Sequence, residues 1–242
     1  MTVLPAAILF DLDETILSFG SRRQILQEVI EQFPESFAGV DPFAASQEME
    51  AAFRAFWSDE TRHAIWRQNL GEGRILAVRG GFERLADRAP GLTEDFARTF
   101  GARFHGYREA QAKFFPGALE TLEALRRAGV RLALVTNGAA EPQRAKVDRF
   151  DLAPRFHHVQ IEGEAGFGKP DPQAYLHAMA TLGVEAHQTW MVGDNLEWEV
   201  AAPQRLGIYS IWHDHLGEGL PPNSPVRPDR IIRAIAELNP GA

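Results

Sequence analysis

The sequence predicts an α/β fold, a Rossmann-like parallel sheet with helices on both faces, interrupted by an inserted all-helical domain. Three observations predict it. Short unbroken apolar runs, AAILF at 6–10 and RLALV at 131–135, suit strands buried on both faces. From Phe114 onward such runs alternate with amphipathic stretches, the pattern of parallel βαβ units. From about Ser21 to Arg108 the apolar residues instead recur at helical spacing. The first run matches the later region in texture. The α/β core is therefore expected at 1–16 and 114–242, and the helical domain at 17–113.

The elements come in order along the chain. Ser21 is placed to cap a helix carrying Ile25, Val29, Ile30 and Phe33. Asp41-Pro42 reads as an N-cap with proline at the first helical position, followed by Met49, Phe53 and Phe56. Ile65, Trp66, Ile75, Leu76, Phe82 and Leu85 give two more helices. Leu92, Phe96, Phe100, Phe104 and Tyr107 form a stripe that reads as a core face. The stretch 117–130 is amphipathic and stops at Gly129. Strands are then expected at 131–135, 157–161, 190–192 and 207–212, with helices at 141–150, 172–184, 196–206 and, closing the chain, 229–239.

Composition excludes several classes. The 242 residues can bury a sizeable core, with 45% hydrophobic and 24% charged residues. A formal net charge of −8 argues against a non-specific nucleic-acid binder. With no cysteine, disulfides and thiolate chemistry are excluded. No apolar run approaches the roughly 18 residues of a membrane span, and no signal-peptide pattern opens the sequence. A cytoplasmic protein without membrane partners is expected.

Ligands of open α/β sheets bind beyond the carboxyl ends of the strands. The strand at 6–10 runs into Asp11 and Asp13, the strand at 131–135 into Thr136 and Asn137, and the strand at 190–192 into Gly193, Asp194 and Asn195. Lys169 lies in GKPDP, after the strand at 157–161. Taken singly, Thr136-Asn137 also reads as a turn and Lys169 as a surface residue. Together they suit phosphate. Three carboxylates stay ionised side by side only when a cation offsets them, and oxygen ligands select a hard ion, Mg²⁺ first. Lysine and the metal can hold a phosphoryl group to which Thr136 donates.

DLDET, VTNG, GKPDP and VGDN, in this order, resemble the four motifs of the haloacid dehalogenase superfamily. The helical insertion resembles that superfamily's cap. The chain is loosely similar to the clade of N-acylneuraminate-9-phosphatases and nucleotidases. The resemblance implies an Mg²⁺-dependent phosphatase for a small phosphorylated metabolite. It implies Asp11 as nucleophile, forming an aspartyl-phosphate, and Asp13 as general acid and then base. It implies Mg²⁺ held by Asp11, Asp194 and the Asp13 carbonyl, phosphate held by Thr136, Asn137 and Lys169, and a bracing role for Thr15. Asn195 and Glu199 would support the fourth motif. Glu199 stands where many relatives have aspartate; it could hold a metal-bound water or simply face solvent.

The sequence leaves rival readings open. A phosphosugar mutase shares the scaffold. A 2-haloacid dehalogenase does not need the acid at Asp13. A phospho-aspartate receiver lacks the helical insertion. GEAGFGKP at 163–170 is almost a nucleotide-binding P-loop, but Pro170 replaces its hydroxyl. His213 and His215 read as loop residues, and His157 and His158 point to opposite faces of a strand. Arg22 and Arg23 are candidates for holding a second anionic group of the substrate. The oligomeric state and the substrate are open as well.

Overall fold

The computed structural model describes residues 4–241. The chain divides into two compact units, Phe19–Ala112 and the residues on either side of it.

The smaller unit is helical: α1 (Arg22–Ile30), α2 (Pro42–Trp57), α3 (Glu60–Trp66), α4 (Leu70–Leu85) and α5 (Glu94–Ala110). Each begins after a residue whose side chain accepts a backbone N–H of the first turn, namely Ser21, Asp41, Asp59, Asn69 and Thr93. The apolar faces meet around Phe37, Phe82, Phe96 and Phe100, whose ring centroids lie 5.6–6.2 Å apart. Close approach needs glycine at two points. A Cβ on Gly81 would strike Met49, and one on Gly101 would meet Ile75. The expected stripe on α5 is core at Phe100 and Phe104, with Leu92, Phe96 and Tyr107 packed at its edge.

The larger unit carries the sheet. β1 (Ala7–Phe10) is followed by an antiparallel ribbon, β2 (Leu17–Ser18) with β3 (Lys113–Phe114), which joins the residues flanking the insertion. Then come α6 (Ala118–Arg127), β4 (Arg131–Thr136), α7 (Ala140–Arg149), β5 (His158–Ile161), α8 (Glu162–Ala165), α9 (Pro172–Leu182), β6 (Thr189–Gly193), α10 (Ala202–Gln204), β7 (Tyr209–His213) and β8 (Arg230–Ile232). Six strands pair in parallel in the order β5-β4-β1-β6-β7-β8. Fully buried Ala7, Leu9, Ala133 and Met191 pack with Tyr175 and Ala178 of α9. The chain runs outward from β1 to β5, then returns to β6 on the other side. The strand order therefore reverses beside β1, the point where such sheets bind ligands. No described helix is long and apolar enough to cross a membrane.

Two expected helices form differently. At 229–239 the apolar spacing matches a helix, yet residues 230–232 pair with β7 as an edge strand. A 3-10 turn, Ile235–Leu238, follows, and Glu237 accepts the N–H groups of Arg233 (2.7 Å) and Ala234 (3.0 Å). The unpaired edge of β7 outweighs local helical spacing. At 196–206, Leu196–Ala201 forms a π-helical turn and α10 is only three residues long. Pro203 has no N–H to offer the carbonyl four residues back.

Candidate active site

Because β4 and β6 flank β1, their carboxyl ends bring Asp11, Thr136 and Asp194 to one edge of the sheet. The Asp11 N–H donates to the Val192 carbonyl at 3.0 Å, which fixes the end of β1 to β6. Lys169 arrives from the loop after α8. Its side chain is fully buried, with Nζ 2.6 Å from Asp11 Oδ1 and 2.7 Å from Glu199 Oε1. Glu199 is buried too, and its Oε2 accepts the Asn195 N–H at 2.8 Å. The π-turn carries Glu199 inward, and Gly193 makes room for it. A Cβ at Gly193 would fall on the Glu199 side chain, 2.7 Å from Cδ. The solvent-facing reading of Glu199 is thus overturned. Both of its oxygens are engaged, one by Lys169 and one by the loop. The Asn195 side chain caps the turn, accepting from Glu197 and Trp198 at 3.0 Å each.

Asn137, expected at the phosphate, is tied by its side chain to the lysine loop. Its Nδ2 donates to the Lys169 carbonyl (2.6 Å), and its Oδ1 accepts the Lys169 N–H (2.9 Å). This pair of bonds clamps the lysine loop and uses one of the two Nδ2 hydrogens. Gly168 permits the clamp, since a Cβ there would sit 2.8 Å from Asn137 Oδ1. Glu162, also buried, accepts the Gly138 N–H at 3.0 Å and ties the same two loops together.

Asp13 is held from α7, through residues that sequence reasoning missed. Lys146 Nζ lies 2.9 and 2.8 Å from its two carboxylate oxygens. Gln143 Nε2 donates to Asp13 Oδ2 (3.1 Å) and to Thr136 Oγ1 (2.5 Å). The available signal was two polar residues three apart on the helix after Thr136, hence on one face. Thr15 does not brace Asp13. It is fully buried, and among the described residues its hydroxyl has no hydrogen-bond partner. The bend after Asp13 is made by Glu14, whose backbone is left-handed (φ 60°). Its N–H donates to the Leu17 carbonyl at 2.7 Å, and its carbonyl accepts from His213 Nδ1 at 3.1 Å. His213 is the buried last residue of β7, not a loop residue.

Arg22 and Arg23 belong to the helical unit. The Arg22 guanidinium is taken by Glu50 through two bonds of 2.8 and 2.9 Å, so it is not the open anion holder expected. Arg23 lies over the Phe43 ring, 4.8 Å from its centroid.

Charge at the sheet edge is unbalanced. Burial pushes the Asp11 carboxyl up, and Lys169 opposes the shift. Burial alone would lower Lys169, but the Asp11 and Glu199 carboxylates outweigh it and hold the ammonium above its usual range. Burial pushes Glu199 up to about 7 despite Lys169. Asp194 stands well above the usual carboxylate range, first from burial and then from the fields of Glu199, Asp11 and Glu14. Three acidic groups thus share one ammonium. Among the described residues, no three acidic or imidazole side chains converge closely enough to cage an ion alone. The implied set differs: two carboxylates, Asp11 and Asp194, plus the Asp13 carbonyl. All three are hard oxygen donors, and the surplus negative charge is what a hard divalent cation would offset. The residues fit Mg²⁺.

A model of the haloacid dehalogenase-like hydrolases matches residues 5–207. The chain is 32% identical to a phosphoserine phosphatase of Thermus thermophilus, with 96% of each chain covered. It is 28% identical to a glyceraldehyde 3-phosphate phosphatase of Methanopyrus kandleri, over 85% of this chain and 82% of that one. Among solved structures, a HAD-hydrolase, YfnB from Bacillus subtilis, described as bound to magnesium, superposes with a TM-score of 0.72 at 20% identity, covering 98% of this chain and 97% of that one. With residues 5–207 matched and a relative aligned along nearly its whole length, the chain belongs to the haloacid dehalogenase-like hydrolases.

Proposed function

We propose that this hydrolase is a phosphatase that cleaves a small phosphomonoester through an aspartyl-phosphate at Asp11, with Mg²⁺ as cofactor. The observation that carries the reading is the pair of aspartates at the end of β1, each with its own lysine. Asp11 lies 2.6 Å from buried Lys169, and Asp13 lies 2.8 Å from Lys146. Lys169 sets a buried cation beside Asp11, the nucleophile, while Asp13, in a separate and more exposed pair with 30% of its side chain accessible, exchanges a proton with ester oxygen and water.

In the first half-reaction an Asp11 carboxylate oxygen attacks phosphorus, the bond from phosphorus to the ester oxygen breaks, and Asp13 gives that oxygen a proton. The alcohol leaves. In the second half, water attacks the same phosphorus while Asp13 takes its proton. The Asp11–phosphorus bond breaks, phosphate departs, and both aspartates return to their starting states. Thr136 donates its hydroxyl to the phosphoryl group, and Lys169 keeps Asp11 oriented and offsets charge. Mg²⁺, held by Asp11, Asp194 and the Asp13 carbonyl, would supply neutralisation of phosphoryl charge.

Asp13 favours phosphatase over dehalogenase, because a halide needs no proton and an alkoxide does. The relatives' names denote small phosphate esters, which supports a small phosphorylated metabolite as substrate class. Phosphate release from p-nitrophenyl phosphate is the test. It is expected to vanish with EDTA, return with Mg²⁺, and be abolished in Asp11→Asn. Robust turnover by Asp11→Asn removes the nucleophile assignment.

A further inference from the structure

Gln143 and Lys146 occupy one face of α7, and both are buried, with 2% and 9% of their surface exposed. Between them they place three contacts on the Asp13 carboxylate, at 2.8, 2.9 and 3.1 Å. The remaining contact of the Gln143 amide goes to Thr136 Oγ1 at 2.5 Å. This arrangement does two things. With its oxygen accepting from Gln143, the Thr136 hydroxyl is left to donate, and the Asn137 carbonyl is a distant acceptor for it at 3.5 Å. Asp13 at the end of β1 and Thr136 at the end of β4 are also joined through a single amide, which sets the spacing between the proton carrier and a phosphoryl-binding hydroxyl.

We propose that Gln143 and Lys146 are positioning residues, which hold Asp13 against the leaving-group side of a phosphoryl group bound at Thr136 and so determine how poor a leaving group the enzyme can expel. The inference rests on the function proposed above. A misplaced proton donor slows departure of a basic oxygen far more than departure of one that leaves well unprotonated. A residue that only supports the fold slows both alike, and a residue that grips the substrate raises KM.

The test compares phenyl phosphate with p-nitrophenyl phosphate, which share the phosphoryl group and differ in how much the leaving oxygen needs a proton. In Lys146→Met, kcat/KM for phenyl phosphate is expected to fall at least ~10-fold, and for p-nitrophenyl phosphate less than ~3-fold, a fraction of the ~100-fold or more that a general acid supplies. Lys146→Arg should recover part of the loss. Gln143→Leu should lose activity on both esters through Thr136 and a further part on phenyl phosphate alone through Asp13, and that excess on phenyl phosphate serves if Lys146→Met does not fold. Adding Lys146→Met to Asp13→Asn should cost nothing further, since both act through one carboxylate. Equal losses on the two esters, a rise in KM with kcat retained, or additive losses in the double variant each overturn the inference while leaving the phosphatase intact. Absence of phosphate release from either ester by the unaltered protein removes the function itself, and this inference with it.

Discussion

Lys169→Met tests the electrostatics of the site most directly. Methionine keeps most of the side chain's volume and deletes the ammonium. In the structure that ammonium lies 2.6 Å from Asp11 and 2.7 Å from Glu199, with no solvent exposure. Removing one partner of a buried ion pair costs about 3–5 kcal/mol, because the remaining charge is stranded away from water. Here two carboxylates are stranded, and burial already lifts both. Protonation is their escape, so the cost depends on pH. An acid whose folded pKa is raised destabilises the fold progressively as pH climbs above its unfolded value, by up to about 1.4 kcal/mol per unit for each group. The variant is therefore expected to lose about 4 kcal/mol at pH 7.5 and about 1–2 kcal/mol at pH 5. Urea unfolding followed by circular dichroism at the two pH values reads both numbers, with EDTA present to keep metal out. A loss below about 1 kcal/mol at pH 7.5, or the same loss at both pH values, refutes the reasoning.

Further expectations concern the supports around that lysine. Gly193→Ala should cost about 2 kcal/mol in thermal melts, since the new Cβ displaces a Glu199 side chain fixed at both oxygens; an unchanged Tm contradicts the packing. Asn137→Ala removes the two bonds that clamp the lysine loop, worth about 2 kcal/mol together, and should accelerate amide exchange at Lys169. Unaltered exchange there counts against the clamp. His213 is pushed down to about 4, by burial first and then by His215. Its folded pKa lies below its unfolded one. The stability this confers is complete above the ordinary value of 6.5 and is lost as pH falls toward 4, about 3 kcal/mol in all. His213→Asn keeps a donor for the Glu14 carbonyl but cannot titrate, so its stability should fall about 3 kcal/mol less between pH 7 and 4. Parallel pH curves for the two proteins sink that assignment.

The order of amino acids alone specified the parallel α/β core, the helical insertion and the polar residues that end the strands. It could do so because those features are local. An unbroken apolar run marks a doubly buried strand, and the residues just beyond the run lie at the sheet edge. Asp11, Asp13, Thr136 and Asp194 were legible on that ground, and Lys169 through the motif around it. Tertiary structure decided what each polar group faces. Asn137 and Thr136 are adjacent, yet the side chain of the first clamps the Lys169 backbone while the second is held by Gln143. Glu199 turns inward only because a π-turn and a side-chain-free Gly193 admit it. The 229–239 stretch has helical spacing, but an open β7 edge claimed part of it as strand. Gln143 and Lys146 look like the solvated side of a polar helix until α7 docks and buries them on Asp13. A hydrogen bond or ion pair between residues 130 or 158 positions apart leaves no periodicity in the chain. Its strength grows with the burial of its partners, and burial exists only once the sheet has assembled.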